Sequence, residues 1–302
     1  MNRTMNVGFR NYLKIFTVLQ FVFMMLLPQQ SLGEEVDWDR WAVHDSDSTD
    51  EVQYGPLDAI LRTIVDKSGK EMMMRYIVLS PPEPLKYLKS FISYLESLPV
   101  SKLNRDEQYA YWLNLHNIGV IHLYAVDKVS ARRIKKTRGL PGKPGTKWNE
   151  KIFTVEGQAL SLEDIEQNIL IPQWKDPLTL YGLSYGAKGS PPNGVWSFTG
   201  PKVHEQLEKL GRAFVNNKNN VRVNKKGMTL SSLYLWNKET LFGNEDAEIL
   251  DHIRSLSGKS LAQKIGAKPY IIKDKFNWRG VAVYPRSALQ GSSVGNRSGG
   301  GS

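Results

Sequence analysis

The stretch DEQYAYWLNLHNIGVIHLYAV, from Asp106 to Val126, decides how the rest of the chain can fold. Apolar side chains cover most of its helical circumference, which is typical of a helix that lies inside a protein. A helix of this kind needs neighbours on every side. We therefore predict a central helix around which the remaining elements pack.

Three polar residues interrupt this apolar helix: Asn114, His116 and Asn117. A buried polar side chain must find hydrogen-bond partners. These residues either tie the helix to a neighbouring loop or line a binding pocket. We favour the structural role, because polar side chains in a core more often bond to backbone than to a ligand.

Apolar residues at helical spacing predict further helices on both sides of this segment. The predicted helices cover residues 57–65, 85–95, 162–170, 202–214, 233–241 and 247–256. Strands are predicted at residues 153–155, 178–183 and 270–283, the last interrupted at 273–275, and a hairpin at 221–230. Together these elements predict an α/β fold of the mixed α+β kind, a helix-rich single domain with a small sheet.

The first 33 residues have the features of a secretory signal peptide. Arg3, Arg10 and Lys14 precede the apolar run IFTVLQFVFMMLL, and the small residues of Ser31-Leu32-Gly33 follow it. The run is shorter than the roughly 20 residues of a membrane-spanning helix. We therefore expect export to a periplasm or to the outside of the cell, with cleavage near Gly33.

Composition divides the remaining chain into three parts. Residues 34–53 form an acidic arm that we expect to be solvated, residues 54–290 the folded domain, and residues 291–302 a flexible tail. The acidic run HDSDSTDE in the arm lacks the glycine and the final glutamate of an EF-hand loop. We expect no metal site and no cofactor.

The 302 residues include no cysteine and carry a net charge of +10. The absence of cysteine excludes disulfides, thiol nucleophiles and thiolate metal ligands. The positive charge favours contact with anionic surfaces such as lipid headgroups or acidic glycans. The basic run at residues 131–148 has almost none of the aromatic residues that stack on bases, so we expect no nucleic acid partner.

The same basic run, ARRIKKTRGLPGKPGTKW, has two interpretations. Its glycines and prolines predict a mobile, solvated connection between elements. The alternative is that Arg132, Arg133, Lys135 and Lys136 form an electrostatic contact with an anionic surface or partner.

The stretch YGLSYGAKGSPP, at residues 181–192, has the composition of a functional loop. In a phosphate-binding P-loop the lysine directly follows a glycine, but here Lys188 precedes Gly189. In a nucleophile elbow, glycines stand two residues before and after the serine, and Ser190 lacks both. The remaining possibility is that the turn around Gly186 and Lys188 directs backbone N–H groups at an anion.

Two carboxylates occupy the first turns of the helix predicted at residues 162–170. Ser161 precedes Asp164 by three residues, as in a capping box, and Glu166 follows. Residues two apart point to different sides of a helix, so Asp164 and Glu166 are a poor acid–base pair.

Several of these motifs, in this order, resemble the family called domain of unknown function 547. The resemblance spans residues 54–281. It rests on NRDEQYAYWLNLHN at residues 104–117, KWNEKIFTVEGQALSLEDIEQNIL at 147–170, the loop at 181–192, TLSSLYLW at 229–236 and FNW at 276–278.

The resemblance implies no established activity. Many members of the family have histidine and cysteine in these motifs, which suggests a thiol site. This chain has Gln167 and Leu180 at positions where histidine is frequent, and Tyr185 and Ser190 at positions where cysteine is frequent. The resemblance therefore implies a retained scaffold whose reactive groups have been replaced.

Three hypotheses about function follow. The first is a non-catalytic binding or interaction protein, with Asn114, Asn117, Asp164, Gly186 and Lys188 as candidate binding residues for an unknown ligand or protein partner. The second is a hydrolase in which Ser190 is the nucleophile, His116 the base and Glu166 its orienting group. The third is a binder of anionic surfaces that uses the basic run at 131–148.

Overall fold

The computed structural model describes residues 36–66, 73–127, 139–140, 143–144, 147–191, 196–267 and 270–282. The predicted signal peptide and the predicted flexible tail lie outside these residues. So do the four basic residues proposed as a surface contact, Arg132, Arg133, Lys135 and Lys136. The export and surface-contact hypotheses therefore remain predictions.

Helices form most of the regular structure. The α-helices are α1 (Gly55–Ile64), α2 (Pro82–Glu96), α3 (Arg105–Asp127), α4 (Ile171–Trp174), α5 (Thr179–Gly182), α6 (Val203–Val215), α7 (Ser232–Trp236), α8 (Lys238–Phe242), α9 (Asp246–Leu256) and α10 (Lys259–Ala267). A π-helix at Asp164–Leu170 runs directly into α4, and 3₁₀ turns cover Trp38–Ala42, Tyr76–Leu79, Val100–Lys102 and Gly200–Lys202.

The strands are short and form small sheets. They are β1 (Val65–Asp66), β2 (Met73–Met74), β3 (Gly139–Leu140), β4 (Lys143–Pro144), β5 (Phe153–Val155), β6 (Gln158–Leu160), β7 (Val221–Asn224), β8 (Gly227–Ser231) and β9 (Ile271–Lys275). β1–β2, β3–β4 and β5–β6 are antiparallel pairs, whereas β7, β8 and β9 form a three-stranded sheet with β9 parallel to β8. The mixed α+β, helix-rich fold is thus confirmed.

The central helix is α3, as the sequence predicted. Its side chains at Tyr109, Trp112 and Leu113 are fully buried, and it packs against α2, α6, the π-helix and several 3₁₀ turns. At Gly119 an added Cβ would lie 2.6 Å from the ring of Phe153, so β5 approaches the helix closely there. Burial on all sides explains why apolar residues surround this helix.

Two segments differ from the sequence prediction. Residues 179–182 form the helical turn α5, because the Asp176 carboxylate accepts the N–H of Leu178 at 2.8 Å and i to i+3 backbone bonds follow. The predicted strand at 178–183 is therefore wrong. Residues 273–275 continue β9, because an edge strand leaves charged side chains in solvent. In addition, α10 was not predicted, and Asn237 divides the helix predicted at 233–241.

The acidic arm is solvated only in part. Asp45 and Asp47 are exposed, as predicted. Trp41, however, is 2% exposed and packs edge-on against Trp112 with ring centroids 4.9 Å apart. Val52 is buried as well and donates its N–H to a carboxylate of α3. A fully solvated arm is therefore wrong, because two apolar residues anchor it to the core.

Within the described ranges, no helix combines the length and the apolar character needed to cross a membrane.

Candidate functional site

The loop at residues 184–191 is held in place by a segment far along the chain. Lys188 donates its N–H to the carbonyl of Arg279 at 2.7 Å, and Gly189 donates to Asn277 at 2.9 Å. In the opposite direction, Val281 donates to the carbonyl of Gly186 at 3.1 Å. The loop and residues 277–281 therefore run antiparallel and form one wall of the site.

The backbone N–H groups that could bind an anion already donate hydrogen bonds within the protein. Besides Lys188 and Gly189, Ser190 donates its N–H to the carbonyl of Ala187, and Gly186 donates to the hydroxyl of Ser184. The hypothesis that the loop directs these N–H groups at an anion is therefore wrong. The physical reason is that backbone groups in a packed loop satisfy one another first.

The glycines of the loop allow close packing. Gly186 has a φ of +61°, and a Cβ there would lie 2.3 Å from the ring of Tyr124, whose hydroxyl donates to the Gly186 carbonyl. A Cβ at Gly189 would lie 2.6 Å from the backbone nitrogen of Asn277. Gly186, predicted as a binding residue, instead lets the loop approach α3.

The loop forms one side of a cleft of about 620 Å³. Apolar residues from four different parts of the fold contribute to its lining: Met74 of β2, Ala187 of the loop, Phe214 of α6 and Val281 after β9. The turn that follows α6 and the segment after β9 supply most of its polar lining. The cleft is thus built by residues that the chain brings together only on folding.

Three cations line the cleft: Lys188, Lys275 and Arg279. Lys275 and Arg279 are exposed, and neither forms an ion pair with a described carboxylate. Among the described residues that line the cleft there is no Asp or Glu. Lys275 and Arg279 therefore bring positive charge to the cleft that no described carboxylate neutralises.

Two asparagines add neutral hydrogen-bond donors. Asn217 accepts the N–H of Asn219 at 2.9 Å through its Oδ1, and Asn277 accepts that of Arg279 at 3.1 Å. No hydrogen bond within the described part of the chain occupies the Nδ2 group of either residue. Each side chain can therefore donate to a ligand in the cleft.

Ser190, the predicted nucleophile, lies at the edge of this cleft and is 9% exposed. Its Oγ donates to the carbonyl of Ala187 at 2.6 Å. Histidines in the described ranges form no hydrogen bond with it. The structure thus places Ser190 and Lys188 together in the cleft but gives Ser190 a backbone partner.

His116 and Glu166 meet elsewhere, in the interior. The Nε2 of His116 lies 3.7 Å from the Oε2 of Glu166, and both side chains are 0% exposed. Tyr185 and Gln167 donate to the Oε1 of Glu166 at 3.0 and 2.8 Å. The ring of Trp148 packs edge-on against His116. We call these five residues the buried polar cluster.

Two of the positions that distinguish this chain from the family thus meet in one place. Gln167 and Tyr185, where the resemblance implies histidine and cysteine, both bond to Glu166. Leu180 is buried in the core, and Ser190 lies in the cleft.

The basic run at residues 131–148 was predicted to be a mobile connection. Its last residue, Trp148, is fully buried, and β3 and β4 pair within the run.

The two asparagines of α3 have a structural role. Asn114 exchanges two hydrogen bonds with the backbone of Phe198, at 2.8 and 3.0 Å. Asn117 donates to the carbonyl of Gly182 and accepts the N–H of Ser184. Both side chains therefore tie α3 to neighbouring segments, and neither lines the cleft.

Asp164 also has a structural role. Its carboxylate accepts the backbone N–H and the hydroxyl of Ser161, whose Oγ in turn accepts the N–H of Asp164. This is the predicted capping box. Lys151 also contacts the carboxylate. Asp164 and Glu166 face different partners, as their spacing indicated.

Two other buried titratable groups escaped the sequence analysis. Burial raises the pKa of Glu107, although its carboxylate accepts the N–H groups of Val52 and Gly200. Burial lowers the pKa of His252 to about 4, and its Nε2 lies 2.8 Å from the hydroxyl of Tyr181. Neither residue lines the cleft.

Nowhere in the part of the chain that the structure describes do three or more His, Asp or Glu side chains gather as a metal site would require. The residues that the sequence analysis missed are Asn217, Lys275, Asn277 and Arg279. Part of their signal is visible in KDKFNWRG at residues 273–280, where Lys275, Asn277 and Arg279 alternate with aromatic residues. A two-residue period indicates one polar side of an extended segment.

Comparison with known proteins gives one family match. Residues 100–215 match the family described as "Protein of unknown function, DUF547", which supports a domain of this family over these residues. The match includes α3, the π-helix and the loop at 184–191, whereas TLSSLYLW and FNW lie outside it. Neither curated proteins nor solved structures gave a significant match.

Proposed function

We propose that this chain is a non-catalytic binding protein whose ligand carries negative charge and occupies the cleft. The observation that carries the proposal is the lining of the cleft. Lys275 and Arg279 line it, neither forms an ion pair with a described carboxylate, and no described Asp or Glu lines the cleft. Cations that share a concave surface without counter-charges attract anions and concentrate them there.

The amide groups of the cleft support the same conclusion. Asn217 and Asn277 offer neutral donors beside the cations. A ligand with both negative and hydroxyl groups would satisfy both kinds of donor. Val281, a partly exposed apolar residue of the lining, would contact the carbon skeleton of such a ligand.

Several features favour binding over turnover. A serine nucleophile requires a base within hydrogen-bond reach. Ser190 donates instead to the carbonyl of Ala187, and the imidazole of His116 lies in the buried polar cluster. Four N–H groups of the loop that could form an oxyanion hole, those of Gly186, Lys188, Gly189 and Ser190, bond to backbone carbonyls or to the hydroxyl of Ser184.

Calorimetric titration with galacturonate disaccharide, a small ligand with carboxylate and hydroxyl groups, tests the proposal. The test variant is Lys275→Ala/Arg279→Ala. The matched control is Lys225→Ala/Lys226→Ala, which removes two exposed cations from the turn between β7 and β8, outside the cleft. Equal loss of net charge in the two variants separates a local effect from a general one.

We expect the wild-type protein to bind the disaccharide at low salt. The cleft variant should bind about tenfold more weakly, since two exposed charge contacts contribute about 1 to 2 kcal/mol. The control should change affinity less than about twofold. Equal affinities of the cleft variant and the control, or no binding by the wild-type protein, would contradict the proposal.

One observation favours a second candidate, a serine hydrolase. His116 and Glu166 lie side by side, as a base and its orienting group would. Catalysis would require Ser190 to leave its bond with Ala187 and to reach His116. A fluorophosphonate probe tests this candidate. Labelling that disappears in Ser190→Ala supports a hydrolase, whereas equal labelling of both proteins rejects it.

We also propose export and a contact between the basic run and anionic surfaces, both on the sequence alone. Secretion of a reporter fused to residues 1–40, lost when charged residues replace the apolar run, would support export. Binding to vesicles with phosphatidylserine should weaken in high salt and after neutralisation of Arg132, Arg133, Lys135 and Lys136. Binding that persists in both cases would reject the surface contact.

A further inference from the structure

A second basic groove lies beside the cleft. It has a volume of about 570 Å³ and lies between β7, the turn after α6 and the start of α10. Four exposed cations line this groove: Lys218, Arg222, Lys259 and Lys264. Its described lining includes no Asp or Glu, and none of the four cations forms an ion pair with a described carboxylate.

One turn, NNKNN at residues 216–220, borders both surfaces. Asn217, Asn219 and Asn220 line the cleft, whereas Asn216 and Lys218 line the groove. Two hydrogen bonds of its first residue hold this turn in place. Asn216 donates to the carbonyl of Leu256 at 3.0 Å and accepts the N–H of Gly258 at 2.8 Å. The cleft and the groove are therefore adjacent, with a fixed ridge between them.

The residues that line the cleft and the groove indicate which class of ligand fits them. Neither offers an exposed aromatic side chain for stacking on nucleobases, because Phe214, the one aromatic residue in the described linings, is 2% exposed. Both surfaces are concave, which suits a polymer chain better than a flat bilayer. The asparagines can donate to hydroxyl groups, and the cations can pair with carboxylate or sulfate groups.

We propose that the ligand is a linear acidic polysaccharide that runs from the cleft over the ridge at residues 216–220 into the second groove. This inference rests on the proposed function, because it takes the cleft as the primary binding site. It adds a second contact region and a chemical class of ligand. Two linked contacts give a long chain an advantage that a short one lacks.

The experiment compares two lengths of one ligand, galacturonate disaccharide and galacturonate dodecasaccharide, by titration at a single low ionic strength. Three charge-reversed double variants are measured beside the wild type. They are Lys275→Glu/Arg279→Glu in the cleft, Arg222→Glu/Lys264→Glu in the groove and Lys225→Glu/Lys226→Glu as the control. All six residues are exposed, and circular dichroism verifies that each variant is folded.

We expect the wild-type protein to bind the dodecasaccharide at least about tenfold more tightly than the disaccharide. The groove variant should lose about tenfold affinity for the dodecasaccharide and keep its affinity for the disaccharide. The cleft variant should lose affinity for both, and the control for neither.

Two results separate the inference from the proposed function. If the cleft variant loses affinity but the groove variant behaves as the control, the extended site is rejected and the cleft remains the binding site. If the cleft variant behaves as the control with both ligands, the proposed function itself is rejected.

Competition tests the class of the ligand. Dextran sulfate should displace the dodecasaccharide, because sulfate and carboxylate groups pair with the same cations. Single-stranded DNA of equal charge and phosphatidylserine vesicles should compete at least about tenfold more weakly. Neither the cleft nor the groove offers an exposed aromatic side chain on which bases could stack, and both are concave, which does not suit a flat bilayer. Stronger competition by DNA or by vesicles would overturn the assignment to a polysaccharide.

Discussion

The cleft and the buried polar cluster are built from the same loop but use polar side chains in opposite ways. Tyr185 points inward and donates to Glu166, which also accepts from Gln167. Lys188, three residues later, lines the cleft with Lys275 and Arg279. In the cluster, two side-chain donors meet one carboxylate acceptor. In the cleft, Lys275 and Arg279 are exposed and form no ion pair with a described carboxylate.

This difference separates stability from binding. A buried polar group costs free energy unless it is hydrogen-bonded, so removing one partner of a buried pair destabilises the fold. Exposed cations of like charge repel one another and stabilise the fold little or not at all. We therefore expect substitutions in the cluster to lower stability, and substitutions in the cleft to lower affinity.

The largest expected effect belongs to Glu166→Ala in the buried polar cluster. The substitution removes the acceptor that the fully buried Tyr185 hydroxyl shares with the partly buried Gln167 amide. We expect the free energy of unfolding to fall by roughly 3 to 4 kcal/mol in urea titrations. Glu248→Ala, on the exposed side of α9, is the control and should change it by less than about 0.5 kcal/mol. Equal effects of the two variants would show that the cluster does not stabilise the fold.

The next effect concerns pH and a second buried group, His252. Burial lowers its pKa to about 4 in the folded protein, whereas an exposed histidine titrates near 6.5. Between these values the unfolded chain binds more protons, so stability should fall as pH decreases from about 6.5 to about 4, by up to roughly 2 to 3 kcal/mol.

The comparison of wild type with His252→Gln isolates this effect, since other groups titrate in both proteins. Glutamine retains a polar group beside the Tyr181 hydroxyl. The variant should lose less stability than the wild type between pH 7 and pH 4.5 in urea titrations. The same loss in both proteins would contradict the expectation.

A smaller effect separates packing from backbone strain in the loop. Gly186→Ala places a Cβ 2.3 Å from Tyr124 at a φ of +61°, whereas Gly157→Ala meets nothing within 4 Å at a φ of +80°. Strain alone should cost about 1 kcal/mol in each variant, and overlap should raise the cost at Gly186 to about 2 to 3 kcal/mol. Equal melting temperatures of the two variants would show that the loop can move away from α3.

The smallest effect on stability is expected in the cleft. Lys275→Ala/Arg279→Ala removes two exposed cations that have no ion pair among the described residues. The free energy of unfolding should change by less than about 0.5 kcal/mol, while affinity for an anion falls. A large loss of stability would mean that these residues hold the loop in place. The residues of the cleft would then stabilise the fold, as those of the buried polar cluster do.

Local patterns predicted much of the fold. The apolar circumference of α3, the stripes of α1 and α2 and the capping box of Ser161 with Asp164 depend on nearby residues, and the structure has them all. The strand predicted at 178–183 failed because one carboxylate, that of Asp176, directs the backbone into a helical turn. Leucine spacing alone does not reveal this effect.

The site was less predictable, because it depends on contacts between distant segments. Lys188 and Ser190 were identified from the composition of their loop. Asn277 and Arg279 join them only because the backbone after β9 pairs with the loop. The alternation of residues 275, 277 and 279 with aromatic residues is a signal that the sequence analysis did not use, and it does not say which surface these residues complete.

The most direct test of the account is nuclear magnetic resonance of the 15N-labelled protein during titration with galacturonate disaccharide. We predict that the side-chain amides of Asn217 and Asn277 and the backbone amides of residues 275–279 change their chemical shifts together. The indole of Trp148, in the buried polar cluster, should not respond. Shifts at Trp148 and Tyr185 without shifts at Asn217 and Asn277 would contradict the account and place the ligand in the interior.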